Sequence, residues 1–82
     1  MPLYMDMHRN VEADAAAVAA AHEKDLEVQE RHGVDVRRYW VDQDRGTVFC
    51  LFEAPNKEAG EAVHRDAHGL VADEIYEVRE GE

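Results

Sequence analysis

Apolar residues recur at two spacings in this chain, every second residue in some segments and every three to four in others. Leu3, Met5 and Met7 alternate with more polar residues, which predicts a first β-strand. Because alternate side chains of a strand share a face, Asp6 and His8 project together from the face opposite those three residues. We interpret Met5 and Met7 as core residues.

Two segments have helical spacing and recognisable ends. The first helix has Asp14 as its N-cap and stops at Gly33. Its apolar stripe consists of Ala15, Val18, Ala19, His22 and Leu26. The second helix begins at an Asn56 cap and stops at Gly69. Its apolar residues are Ala59, Val63 and Ala67.

Three further strands complete the predicted order. Residues 36–42 and 47–54 are rich in β-formers and flank a turn at 43–46, so they form an antiparallel hairpin. Residues 74–79 form the last strand. The order βαββαβ is that of the ferredoxin-like α+β fold, in which two helices cover one face of a four-stranded antiparallel sheet. We expect one domain, residues 1–82.

The third strand indicates how the other sheet face is covered. Residues 47–52 are apolar on both sides of the strand, a pattern typical of strands with both faces covered. A chain of 82 residues buries only roughly 60–65% of its unfolded surface, so its own core is thin. Since the two helices cover one face only, we expect a second copy of the chain on the other, in a homodimer.

Charge and cysteine content exclude several classes of partner. Nineteen acidic and nine basic residues give a net charge of −10, which disfavours nucleic acid and anionic membranes and favours cations. The sequence has neither a secretory start nor an apolar run of membrane-spanning length. The single cysteine cannot form an internal disulfide, which fits a reducing compartment. We expect a cytoplasmic protein.

The histidine content is the strongest indication of function, because five histidines occur in this acidic chain. His64 and His68 are four residues apart on the second helix, so their rings lie one turn apart and can bind one ion. Asp6 and His8 offer a second pair of donors on the first strand. Both pairs have an alternative interpretation as solvated side chains, and the helical wheel places His64 and His68 off the apolar stripe. We predict one or more metal sites from these residues.

Other polar residues have two interpretations each. His22 lies on the apolar stripe, where it is either a hydrogen-bonded core residue or a further metal ligand. Cys50 either packs as a small hydrophobe or serves as a reserve ligand. Asp25 is expected on a solvated helix flank, although it can also orient the His22 ring. For His32, next to the helix stop, a capping role is favoured over ligation.

Four stretches of the sequence resemble the small actinobacterial nickel-binding proteins, a family long carried as a domain of unknown function. They are residues 4–8, 20–26, 39–42 with 46–51, and above all 62–73, AVHRDAHGLVAD. The resemblance implies a dimeric ferredoxin-like protein that binds nickel and has no established catalytic activity. Imidazole and carboxylate donors suit zinc, copper, nickel and iron alike, so the choice of nickel rests on the resemblance.

An enzyme is the alternative. Small ferredoxin-like dimers can enclose an apolar cleft between their sheets, and Trp40, Phe49 and a histidine would then line the pocket of a cofactor-free oxygenase or isomerase for a small aromatic molecule. The sequence shows no nucleophile with an adjacent base at recognisable spacing, which favours a non-catalytic role. A pure interaction module would leave the five histidines unexplained.

Overall fold

Two helices lie on one face of a four-stranded antiparallel sheet in the computed structural model, which describes residues 1–81. The strands are β1 (Leu3–His8), β2 (Asp35–Asp42), β3 (Thr47–Glu53) and β4 (Glu74–Val78). The helices are α1 (Ala15–Val28) and α2 (Lys57–Ala67), and a short 3-10 helix spans Gln29–His32. The sheet order is β2-β3-β1-β4, so the predicted ferredoxin-like fold is confirmed.

The predicted helix ends are largely correct. The Asp14 and Asn56 side chains accept hydrogen bonds from backbone N–H groups three residues on, as N-caps do. Gly33 and Gly69 have positive φ angles of 66° and 82°. The prediction that the first helix continues unbroken to Gly33 was wrong in its last turn. There the chain tightens into a 3-10 helix, and the Gln29 side chain accepts a hydrogen bond from the backbone of β2.

The sheet has one covered face and one open face. The buried residues of β1 and β3 face the helices, namely Tyr4, Asp6, His8, Val48, Cys50 and Phe52. The opposite side, which we call the open sheet face, carries Leu3, Met5, Met7, Trp40, Phe49, Leu51 and Tyr76. Met5 and Met7 were interpreted as core residues, and this was wrong. The helices cover the side with Asp6 and His8, so both methionines are only half-buried.

Helix α2 lies very close to the sheet because of one glycine. A Cβ at Gly60 would overlap the Phe52 ring, so only glycine allows this approach. Gly60, Val63 and His64 form the buried face of α2. The close packing brings His64, one turn after Gly60, within reach of β1.

Within residues 1–81, neither helix combines the length and apolarity needed to cross a membrane.

Candidate metal centre

Four elements contribute side chains to one polar cluster beneath the helices. We call it the His–Asp–Cys cluster, and its members are Asp6 and His8 of β1, Asp25 of α1, Cys50 of β3, and His64 and His68 at the end of α2. Five of the six residues are buried, and His68 is half-buried. So many buried polar groups are unusual in a small core and require mutual hydrogen bonds.

His64 lies at the centre of the cluster. Its Nε2 atom is 2.7 Å from Asp6 Oδ2, and its Nδ1 atom is 2.9 Å from Asp25 Oδ1. The residue is 3% exposed, and the two carboxylates are 0% and 2% exposed. One imidazole therefore joins a carboxylate of the central strand to a carboxylate of α1.

Each carboxylate also has a second imidazole. His8 Nε2 lies 3.2 Å from Asp6 Oδ1, and that oxygen also accepts the Cys50 backbone N–H at 3.2 Å. His68 Nε2 lies 3.2 Å from Asp25 Oδ1. The cluster thus has two ends, one around Asp6 and one around Asp25, which share His64.

These contacts determine the protonation of the cluster. Burial alone would raise the pKa of both carboxyl groups and lower the pKa of the imidazoles, but hydrogen bonding outweighs it. The bonds to His64 and His8 hold the pKa of Asp6 below its ordinary value, and those to His64 and His68 lower the pKa of Asp25 to about 2. The carboxylate partners raise the pKa of His8 to about 9 and that of His64 to about 12. Near neutral pH, two imidazolium ions therefore balance two carboxylates.

A pocket of about 410 Å³ opens beside the cluster. It lies between α1, the sheet, and the loops that follow β1 and α2. His8, Asp25, Cys50, His64 and His68 line one part of it. A ligand or hydrated ion can therefore reach the cluster.

The donor set fits a transition metal ion. Ligand atoms of Asp6, His8, Cys50 and His64 lie within 4.8 Å of one another, as do those of Asp25, His64 and His68. Two donors bound to one ion at about 2.1 Å are roughly 3.0–4.2 Å apart, depending on the angle between them, so each group would have to contract around a bound ion. Nitrogen, carboxylate and thiolate donors suit zinc, nickel, copper or iron rather than magnesium or calcium.

The chain is similar to known proteins over nearly its whole length. The family model described as "Nickel responsive protein SCO4226-like" matches residues 4–78. The chain belongs to this family. A crystal structure of SCO4226 from Streptomyces coelicolor A3(2) superposes with a TM-score of 0.90 at 37% sequence identity, covering 98% of this chain and 99% of that chain. No curated protein matched the chain.

In this SCO4226-like protein, five of the six predicted site residues lie together. Asp6, His8, Cys50, His64 and His68 all belong to the cluster, and His22 does not. His22 instead lines the pocket, with its ring centroid 4.5 Å from that of Tyr39. The structure thus brings strand and helix donors together, whereas their ligation of a metal stays a prediction.

Sequence reasoning missed Asp25, which was placed on a solvated flank. It is buried and contacts both His64 and His68. The predicted stripe of α1 is correspondingly wrong in part, since Leu26 is 37% exposed. Its position in the sequence could have identified Asp25 as buried, because it follows Val18 by seven residues, which is two helical turns along the same face.

Two other expectations were also wrong. His64 lies on the buried face of α2 rather than off it, because the carboxylates of β1 and α1 give its imidazole partners there. His32 does not cap the helix end, since its Nε2 atom lies 3.1 Å from Asp66 Oδ2. Trp40 and Phe49, which the enzyme hypothesis placed with a histidine in a cleft between the sheets of a dimer, pair with each other on the open sheet face, and that hypothesis stays untested.

Proposed function

We propose that this protein binds nickel, with at least one Ni²⁺ ion per chain held by the His–Asp–Cys cluster. The observation that carries the proposal is that three imidazoles, two carboxylates and a thiol form two donor groups that share His64, with the ligand atoms of each group within 4.8 Å of one another. The family description as nickel-responsive supports nickel as the metal, since the donors suit several metals.

The charges of the cluster support a divalent ion. In the absence of metal, protons on His8 and His64 neutralise Asp6 and Asp25. Imidazole binds a metal only after losing the proton from the coordinating nitrogen, so a divalent ion that displaces two protons leaves the net charge of the cluster unchanged. The protein then avoids burying additional charge, which would be costly.

Metal titration of protein purified without an affinity tag tests the proposal. Calorimetry with NiCl₂ should show binding with proton release near neutral pH, while MgCl₂ should give no signal. His8→Ala and His68→Ala separate the two ends, because each residue belongs to only one donor group. His32→Ala is the matched control, as His32 pairs with Asp66 outside the cluster.

The control variant should bind nickel as the wild type does. The proposal fails if wild-type protein binds no nickel, or if nickel binding is unchanged in the His8→Ala, His68→Ala and His64→Ala variants alike. X-ray absorption of the nickel-loaded protein would show whether sulfur from Cys50 is a ligand.

We also propose that the protein is a homodimer joined through the open sheet face. Trp40 and Tyr76 are 45% and 48% exposed there, and Met5 and Leu51 lie side by side between them. An apolar sheet face of this kind is suited to a partner, and a second copy offers the same apolar surface. Sedimentation should give about twice the chain mass of 9.3 kDa.

Trp40→Asp should shift this protein towards the monomer, because the charge would have to be desolvated at the interface. Leu26→Asp is the matched control, since Leu26 is an exposed apolar residue on α1, away from the open sheet face. A monomeric wild type, or equal weakening by both substitutions, would contradict the proposed interface.

The proposed physiological role is a part in the cytoplasmic response to nickel, such as storage or buffering. It rests on the family description and on the donor cluster. The oxygenase or isomerase alternative retains one supporting feature, a pocket beside paired imidazoles and carboxylates.

A further inference from the structure

The pocket beside the His–Asp–Cys cluster is larger than a metal ion needs. Its volume of about 410 Å³ is in the range of small-molecule sites, which is about 300–1,000 Å³. Its walls are mostly apolar and include Val11, Val18, Ala21, Val48 and Leu70. Metal coordination uses only the cluster residues, so this apolar part has no role in the proposed nickel binding.

We propose that the pocket binds a small, neutral aromatic molecule that carries a hydroxyl group. The apolar walls provide the contact area for a hydrophobic ring system. His22 and Tyr39 form an aromatic part of the wall, with ring planes tilted by 39°, against which a flat ligand can pack.

His22 lines the pocket and would be the partner for the hydroxyl group, after a turn of its ring that brings Nδ1 to the pocket surface. Its Nδ1 atom is buried and has no hydrogen-bond partner among residues 1–81. A buried polar atom of this kind is costly unless something binds to it. A hydroxyl group both donates and accepts, so it matches the imidazole nitrogen in either tautomer.

The surrounding charges favour a neutral ligand over an anion. The Asp6 and Asp25 carboxylates already bind His8, His64 and His68, so the cluster presents no uncompensated positive charge to the pocket. The whole chain carries a net charge of −10. A carboxylate ligand would therefore lose its hydration without gaining a counter-charge.

The test uses metal-free protein, so it does not depend on the proposed nickel binding. 2-Naphthol is the probe and 2-naphthoate its anionic control, and both are titrated into ¹⁵N-labelled protein while amide shifts are followed by NMR. We expect saturable shifts in α1 and in the loops around the pocket with 2-naphthol. Binding of 2-naphthoate should be at least roughly tenfold weaker.

Two variants separate the pocket from other surfaces. His22→Phe keeps the ring beside Tyr39 but removes the nitrogen, and it should weaken 2-naphthol binding by roughly 3- to 10-fold. Ala21→Phe places a ring in the pocket and should abolish binding, with the dispersion of the amide spectrum showing whether the variant is folded. If Ala21→Phe does not fold, the 2-naphthol titration of His22→Phe tests the inference by itself.

Several results would overturn the inference. They are an absence of 2-naphthol binding at millimolar concentration, equal affinity for 2-naphthoate, or unchanged affinity in the His22→Phe variant. Shifts confined to the open sheet face around Trp40 would likewise show adsorption to the apolar sheet surface instead of binding in the pocket.

Discussion

Replacing His64 with alanine tests the His–Asp–Cys cluster most directly. The substitution removes both the 2.7 Å contact with Asp6 and the 2.9 Å contact with Asp25. Two carboxylates that are almost fully buried would then each retain one imidazole, His8 for Asp6 and His68 for Asp25. Repulsion between the carboxylates and loss of hydrogen bonds would both destabilise the folded state.

The expected cost is large relative to the stability of so small a domain. Removing one partner of a buried ion pair costs about 3–5 kcal/mol. We expect about 3 kcal/mol here, because each carboxylate keeps one partner and the adjoining pocket lets water reach the emptied space. A chain of 82 residues has a total free energy of unfolding of roughly 4–12 kcal/mol. The melting temperature should fall by roughly 12–24 °C.

Thermal and urea denaturation of metal-free protein at pH 6, followed by circular dichroism, measure this loss. His32→Ala is the control, because its ion pair with Asp66 lies near the surface and should contribute about 1 kcal/mol or less. Nickel titration of the same His64 variant should show weaker binding at both donor groups, since both contain His64. A free energy of unfolding within about 0.5 kcal/mol of wild type would refute the reasoning that a buried imidazole holds the two carboxylates together.

His68→Ala should lower the free energy of unfolding by only about 1 kcal/mol, as measured by urea denaturation, because one hydrogen bond to Asp25 is lost at a half-buried position. A loss equal to that of His64→Ala would contradict the central role of His64. Gly60→Ala should destabilise the folded protein by about 1–3 kcal/mol and weaken nickel binding, since the new Cβ would overlap the Phe52 ring and displace α2. A more stable variant would mean that the higher helix propensity of alanine, worth about 1 kcal/mol, outweighs this overlap. Metal-free stability should fall as pH rises above the unfolded histidine pKa of about 6.5. The reason is that the folded pKa values of His8 and His64 are raised to about 9 and about 12, so the stabilising protons are lost over that range. Stability should also fall in acid as pH drops from about 4 through the lowered pKa of Asp25, about 2. Nickel affinity should instead rise with pH, by up to about tenfold per pH unit for each displaced proton, and a pH-independent affinity would contradict proton displacement.

Local signals in the sequence were enough for the fold. The Asp14 and Asn56 caps, the turn at 43–46 and the spacing of apolar residues depend on neighbours within a few positions. The donor pairs of β1 and α2 were recognisable for the same reason, because residues two positions apart on a strand, or four positions apart on a helix, lie on the same face. The metal-site hypothesis therefore followed from spacing alone, whereas nickel came from resemblance to a family.

Tertiary structure alone decided which face of each element is buried and which donors meet. Apolarity assigned Met5 and Met7 to the core, but the helices cover the side with Asp6 and His8, since a buried carboxylate is stable when imidazoles from other elements reach it. Asp25 is separated from His64 by 39 residues and from Asp6 by 19, so no local pattern records that one imidazole contacts both. The contact exists because Gly60 lets α2 lie against the Phe52 ring, a packing relation that only the folded chain creates.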